Sequence, residues 1–504
     1  MNVSNSKIVQ LIRSSNKVRT TINFSLIAVF IFNIRKLLFP VNFQQDDVSE
    51  LSVIFLQDIK CAFFDFGDTH PLWSTFIWFT SRVFPSFEYF ISVSNVIITL
   101  ISLAILFKIL EDEFSYTTAI FGVSLLIISP VLLTYSTMLK QYPTELLSSI
   151  IFLRIYQIEK SQERKQYSNL IILFLTSFFV IITLSNSLVI SIVIFSIIFI
   201  RKGGTLKRNI TSSNVFIFLA ISFPIFFINI IIRKVERPNF GLYWDEFFIE
   251  TSTLVEFTNS FLFLNSLLLQ SLLGNIYNRL APLAFLFCIA YALYKRKEVT
   301  NLSVGIIATL YFLSSLEIYP LGAGRTDILF LPFLIIVIAN VFNLLHNYIP
   351  SQYQSAIPMA LLILLSSYSF FQLEVNYKTE NVEVAIEKIV GDTSKNKTII
   401  VTEDLSPGFL YYASGYFDKK IDESLECPVE KLLINRYYSY EKSFGQSSDI
   451  STYELTKNIW LLGIELEGTT GRFRDVETYL IEKDYKAVET IKIPNGLYLI
   501  NFSN

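Results

Sequence analysis

The stretch "TINFSLIAVFIFNIRKLLFPVNFQQDDVSE", residues 21–50, sets a long apolar run against two adjacent carboxylates, Asp46 and Asp47. About 20 apolar residues cross the hydrocarbon core of a bilayer as a helix, and the run from 21 to 39 has that length. An ionised side chain at the centre of that core costs about 3 kcal/mol or more, so the acid pair marks a place where the chain has left it. The rest of the chain repeats the pattern. Of its 504 residues, 52% are hydrophobic and 17% charged, with a mean hydropathy of +0.49. A soluble chain carries about 25% charged residues, so the composition reads as a multi-pass membrane protein.

Apolar segments fall at 21–39, 89–109, 116–135, 143–158, 169–184, 186–200, 214–232, 279–294, 303–319, 327–345 and 355–372, about eleven transmembrane helices in all. The run 169–200 is divided at "LSNS" because it is too long for one crossing. Loop charges orient the bundle. With Lys7, Arg13, Lys17 and Arg19 on the cytoplasmic side, the alternate loops "EKSQERKQ", "RKGGTLKR" and "YKRKE" are cytoplasmic too, as the positive-inside rule asks. Arg35 with Lys36, and "RKVERP" at 233–238, run against it.

This topology sends to the outer face a long first loop, 40–88, the turn "YSTMLKQY" at 135–142, the loop 233–278, "YPLGAGR" at 319–325, and everything after 373. Within the first loop, "VSELSVIFL" and "PLWSTFIWFTSRVF" have the spacing of interfacial amphipathic helices. From about residue 378 the composition turns polar. "KTIIVTED" and "IWLLGIEL" read as buried strands, "NVEVAIEKIV" and "RDVETYLIEKDY" as helices, and "AVETIKI" with "GLYLINF" as a strand pair about "PNG". The expected organisation is a transmembrane domain, 1–376, followed by an extracytoplasmic α/β domain, 377–504.

Several function classes drop out. A net charge of −2 gives no footing for nucleic acid. Cys61, Cys288 and Cys427 are too few and scattered for a disulfide framework or a thiolate metal site, and a Cys61–Cys427 bridge is left open. The first apolar segment lacks a small-residue cleavage pattern, so no cleavable signal peptide is expected. Neither GxxxxGK[ST], HExxH nor paired CxxC occurs, which removes soluble nucleotide hydrolysis and thiolate zinc chemistry.

Candidate chemistry therefore sits on the outer segments. A partly desolvated carboxylate at Asp46 or Asp47 has its pKa raised toward that of a useful base, whereas the plainer reading is a pair of solvated loop acids, since Glu50, Asp58, Asp65 and Asp68 share the loop. Lys140, flanked by Tyr135 and Tyr142 ahead of the helix-opening Pro143, can pair with a phosphate as a point charge, or it can snorkel to headgroups. Arg325 follows Gly322 and Gly324 in a tight turn and can clamp a phosphate through two N–H groups, or bind headgroups, or pair with Asp327. His70 is one of two histidines, and a solitary histidine is more often structural. Trp244 and Asp245 lie in the other long outer loop, where Trp244 serves as an interface anchor or as a platform for a sugar ring.

Taken in order, these motifs form a pattern. An acidic pair after the first span, His70-Pro71-Leu72 before a helix, a "SPxxxxYSxxxKxY" segment, a "YPxxxxR…P" segment and a polar α/β tail together resemble the GT-C glycosyltransferases. The narrower likeness is to bacterial relatives of the dolichyl-phosphate-mannose protein mannosyltransferases and the lipid A aminoarabinose transferase. The family's acidic pair usually reads Asp-Glu, and its loop motif Pro-Pro-Leu, so Asp47 and His70 depart from it. The resemblance implies a plasma-membrane enzyme of GT-C fold that takes a sugar from a polyprenyl-phosphate donor to an extracytoplasmic glycan, lipid or protein. It implies Asp46 as the base with Asp47 beside it, Lys140, Arg325, Tyr142 and Tyr319 around the donor phosphate, and no metal or other cofactor. His70, Trp244 and Asp245 remain candidate substrate contacts.

A flippase or polysaccharide transporter is the main rival, and against it the notable charges lie at outer loops instead of span centres. An O-antigen-type polymerase and a noncatalytic scaffold complete the alternatives.

Overall fold

The computed structural model describes residues 16–38, 71–161 apart from 85, 190–194 apart from 191, 245–274, 281–350 apart from 296 and 323, isolated positions between 353 and 367, 382–392, 397–401, 436–439, 443–446, 455–464, 471–493 and 497–504. The chain forms two compact units. One comprises Met1–Lys36, Val93–Thr137 and Gln141–Val375, the other Leu37–Ser92, Met138–Lys140 and Asn376–Asn504.

Most described residues are helical. In chain order the helices are α1 (Asn16–Leu38), α2 (Pro71–Val83), α3 (Phe87–Glu113), α4 (Tyr116–Ile127), α5 (Pro130–Tyr135), α6 (Tyr142–Ser161), α7 (Leu254–Leu273), α8 (Ala281–Lys295), α9 (Glu298–Ser315), α10 (Leu331–Tyr348), α11 (Val382–Gly391) and α12 (Gly471–Glu482). Short 3-10 turns occupy Asp245–Phe247 and Arg325–Leu329. Among the described residues, α3 and α10 are long and apolar enough to cross a membrane, and the predicted segments at 169–184 and 214–232 lie outside those residues.

In the first unit α10 is the central helix, with Leu331 to Val337 buried in sequence and α4, α6, α8 and α9 packed about it. Phe121 of α4 stacks on Phe342 at 4.0 Å between ring centroids. A Cβ on Gly122 would stand 2.5 Å from Leu110 Cδ1 and 3.0 Å from Ile335, so glycine lets α3, α4 and α10 close together. One end of this unit gathers charges. Arg19 pairs with Glu111, Lys108 and Arg154 both pair with Asp112, and Lys297 Nζ donates to Glu113 O. Such exposed pairs are worth about 1 kcal/mol or less each. They show that the start of α1, the α3–α4 turn, the far end of α6 and the start of α9 share one end, as the alternation of loops requires.

Two predicted elements are corrected. The span expected over 116–135 is two helices, because Pro130 has no N–H to continue α4 and Ser129 caps a new start, its Oγ accepting from Leu132 N. The loop expected over 233–278 contains α7, a full 20-residue helix. Its start is fixed by Thr253, whose Oγ1 accepts from Glu256 N and donates to the Glu256 carboxylate. Polar Asn259, Asn265 and Gln270 interrupt its apolar run, yet Leu264, Leu268, Leu269 and Leu272 form a buried stripe.

In the second unit, α2 is amphipathic as its spacing predicts. Trp73, Ile77 and Thr80 are buried while Phe79 and Val83 face outward. A six-stranded sheet has the order β3-β2-β1-β4-β6-β5, built from β1 (Lys397–Val401), β2 (Arg436–Ser439), β3 (Ser443–Gln446), β4 (Asn458–Ile464), β5 (Lys486–Ile493) and β6 (Leu497–Ser503). Only β1 and β4 run parallel. Ile459 and Leu461 of β4 join Phe473, Val476 and Leu480 of α12 in one core. Trp460, on the alternate face, donates its Nε1–H to Asp392 just after α11. The strands expected at 397, 459, 487 and 496 are present, and the β2–β3 hairpin adds to them.

The α12 ring of Phe473 lies so close to β4 that a Cβ on Gly463 would fall 2.1 Å from Phe473 Cδ2. With Phe473 1% exposed, the ring has nowhere to go. Gly463→Ala is expected to destabilise this unit by about 1–3 kcal/mol, read as earlier protease cleavage within the tail of the full-length chain. Wild-type resistance would show that the ring can shift.

Candidate active site

At the end of the first unit away from the charge cluster, α7 joins segments far apart in sequence. Ser129, the cap of α5, donates its hydroxyl to Ser271 O at 2.8 Å. Ser271 in turn donates its own hydroxyl to Asp327 Oδ2 at 2.6 Å. Asp327 also accepts from Gly322 N at 2.9 Å and Gly324 N at 3.0 Å. The serine-proline start of one motif and the glycine-rich turn of another are thus tied through one helix.

The turn needs its glycines. Gly322 has φ +75° and Gly324 φ +71°, values that side chains resist. A Cβ on Gly322 would also stand 2.7 Å from Leu267 Cβ of α7. Around them the turn is stitched to itself and to its neighbours. Tyr319 donates its hydroxyl to Thr326 O at 2.8 Å, Thr326 Oγ1 donates to Pro320 O at 3.1 Å, and Leu321 N donates to Phe247 O at 2.8 Å. Ile249 N donates to Ser314 Oγ at 3.2 Å, so the Asp245–Phe247 turn and the residues after it are fastened to the same region.

Asp327 is fully buried and lies in the 3-10 turn ahead of α10, outside the membrane-crossing helix. The span predicted from 327 begins at Leu331 because this carboxylate winds 325–329 into a turn of its own. Burial pushes the Asp327 carboxyl up to about 6, against the pull of Ser271 and the two glycine N–H groups toward the ionised form. The sequence offered Asp327 as a salt-bridge partner for Arg325, whose side chain lies outside what the structure describes, and its oxygens accept from Ser271 of α7 and from the turn backbone.

Of the candidate residues, Lys140 stands in the turn between α5 and α6 and is 5% exposed. A lysine snorkelling to headgroups would extend away from the protein, so its burial counts against that account. Tyr142 opens α6 with 8% exposure, its ring edge-on to Tyr135 at 4.7 Å. Tyr319 is 4% exposed, and with its hydroxyl proton given to Thr326 O it shapes the turn. Arg325 opens the 3-10 turn and Asp245 opens the other, each described in its backbone alone. Asp46, Asp47, His70 and Trp244 lie outside the described residues.

Sequence reasoning missed Ser129, Ser271 and Trp73. Trp73 donates its Nε1–H to Leu139 O at 2.6 Å, anchoring the peptide next to Lys140. Ser129 had a signal, a cap residue directly before proline, but nothing in the sequence singles out Ser271 among the serines of α7. Gln141 Oε1 is buried without a partner among the described residues. Among those residues no three His, Cys, Asp or Glu side chains converge to hold a metal ion.

No family model matches the sequence, and no curated protein does. Solved structures share its fold. A crystal structure of ArnT from Cupriavidus metallidurans bound to undecaprenyl phosphate matches 97% of this chain and 98% of its own, at 10% identity and a TM-score of 0.55. The apo state of the same protein matches 94% of this chain and 96% of its own, at 10% identity and a TM-score of 0.50. The chain thus shares the fold of these two structures.

The raised carboxyl of Asp327 has a consequence for stability. A group that binds its proton more tightly in the fold than at its ordinary value of 3.8 contributes most below that value, and the contribution declines as pH rises toward about 6. Asp327→Asn removes this titration. Its melting temperature relative to wild type, in detergent, is expected to rise between pH 4 and pH 7. A difference that stays constant across that range would show that Asp327 does not titrate there.

Proposed function

We propose that this chain transfers a sugar from a polyprenyl-phosphate donor to a hydroxyl acceptor on the non-cytoplasmic side of the membrane. The observation that carries the reading is the end-to-end likeness in fold to ArnT, a protein crystallised with undecaprenyl phosphate. The basic residues of the ion-paired end, Arg19, Lys108, Arg154 and Lys297, favour that end as cytoplasmic. On this reading the turns at 135–142 and 319–325 face outward, as does the α/β tail, and the chain crosses the membrane about eleven times.

The donor's isoprenoid chain stays in the bilayer while its phosphate and sugar reach the outer turns. Asp46 accepts the proton of the acceptor hydroxyl as that oxygen attacks the anomeric carbon from the face opposite the phosphate. The bond from the anomeric carbon to the phosphate oxygen breaks, its electron pair leaves with the polyprenyl phosphate, and the centre inverts. Lys140 and Arg325 stabilise the charge gathering on that leaving group, the lysine as a point charge and the arginine through paired N–H donors. Tyr142 lines the donor side, and Tyr319 holds the arginine-bearing turn in shape. Asp47 is the second acid of the catalytic pair, and His70, Trp244 and Asp245 are the candidate contacts to acceptor and sugar. The scheme routes no step through a metal.

Two measurements test the reading. Purified chain in lipid nanodiscs is expected to bind undecaprenyl phosphate, and Lys140→Gln or Arg325→Gln to weaken that binding about tenfold, the loss of one charge-assisted hydrogen bond. Absence of binding in the wild type would remove the donor class. Mass spectrometry of envelope glycans and glycolipids from cells with and without the gene then identifies the missing sugar. Complementation with Asp46→Asn should leave that sugar missing, because general-base assistance is worth about a hundredfold to ten-thousandfold. Full restoration by a variant expressed at wild-type level would show that the base lies elsewhere.

A further inference from the structure

Asp327 poses a question that fold stability does not answer. A carboxylate taken fully out of water is poorly compensated by stability alone, and a neutral group of the same shape would avoid the desolvation. A carboxylate does something a neutral amide cannot: its two oxygens accept from three donors at once, here Ser271 Oγ, Gly322 N and Gly324 N. Two of those donors belong to glycines at positive φ, a conformation open to glycine and resisted by other residues, so a change of the turn's backbone is otherwise easy for them. Arg325 directly follows the second of them. On its other side Thr326 accepts from the Tyr319 hydroxyl and donates to Pro320 O, so the residues flanking Arg325 are tied down both before and after it.

We propose that Asp327 is a positioning residue for donor binding, its carboxylate and the Ser271 hydroxyl of α7 holding the Gly322–Gly324 turn in the one backbone conformation that presents Arg325 to the phosphate of the lipid donor. The inference rests on the proposed function, since it takes Arg325 as a phosphate ligand. Asp327 itself touches no substrate. Its effect passes through the backbone, and Ser271 makes α7 the wall against which the turn is set.

The test uses the full chain in nanodiscs with undecaprenyl phosphate as probe, comparing wild type, Arg325→Gln, Ser271→Ala, Asp327→Asn and Asp327→Ala. The dissociation constant and the melting temperature are read on each. Asp327→Ala should weaken binding about tenfold, approaching the Arg325→Gln value, with Asp327→Asn and Ser271→Ala between it and wild type. Adding Asp327→Asn to Arg325→Gln should weaken binding little further, since both act through one contact. A merely structural role would instead lower the melting temperature or the binding-competent fraction and leave the dissociation constant of the folded protein unchanged, and that result overturns the proposal. Should Asp327→Ala fail to fold, the near-isosteric Asp327→Asn decides on the same criterion. If Arg325→Gln weakens binding while both Asp327 variants bind as wild type, this inference fails and the donor reading stands. If wild type binds no undecaprenyl phosphate, both fall together.

Discussion

A carboxylate withdrawn from water has to find donors inside the chain, and at Asp327 the chain supplies a hydroxyl from α7 and two peptide N–H groups from its own turn. Much of the local architecture follows from satisfying that one group. The two glycines must adopt positive φ for their N–H groups to point at it, α10 cannot begin until the turn is complete, and α7 must lie alongside so that Ser271 reaches it. Because Ser271 also accepts from Ser129 through its backbone carbonyl, the start of α5 is set by the same helix. The short, broken helices on this side of the first unit are consequences of polar groups meeting their partners where the packed chain excludes water.

The sequence made the class legible because hydrocarbon admits so few solutions. Runs of apolar residues have to be helices, and α1, α3, α6, α8, α9 and α10 fall on their expected segments with ends moved by a few residues. It was least legible where polar residues sit inside helices for reasons of tertiary contact. Asn265 reads as a break in an apolar run, but it accepts from the Tyr311 hydroxyl and donates to Phe261 O, so it is a packing element of α7. The clue that α7 existed was at its margin, where Thr253 and Glu256 have the spacing of a reciprocal cap and Gly274 closes the other end at φ +61°. The β2–β3 hairpin escaped notice for a different reason. Strands of four residues without apolar alternation leave no periodic signal, and their register with β1 is a tertiary fact.

Site residues divide along the same line. Motif order singled out Lys140, Tyr142, Tyr319 and Arg325 as candidates, since short charged or glycine-bearing turns between apolar runs are conspicuous. It did not say what each does. Burial of Lys140 separates a lysine held in the protein from one reaching for headgroups, and the Tyr319–Thr326 bond gives the tyrosine hydroxyl a partner within its own turn. Neither distinction exists before the chain is folded, because each depends on where one side chain meets the backbone of another segment.

The choice of cation on each turn completes the physical picture. Lysine presents a compact charge on a flexible stem, so its position depends on the backbone that carries it, and the peptide beside Lys140 is anchored by Trp73 of α2 through Leu139 O. Arginine presents a planar fork whose value lies in alignment, and an error of direction loses one of its two bonds to a phosphate. A fork is therefore the group that gains most from a rigid support, and Arg325 stands in a turn with several backbone anchors. On the proposed function, a leaving group that picks up charge while its isoprenoid tail remains in lipid is served by such a division, with Lys140 as a point charge and Arg325 as an aligned fork.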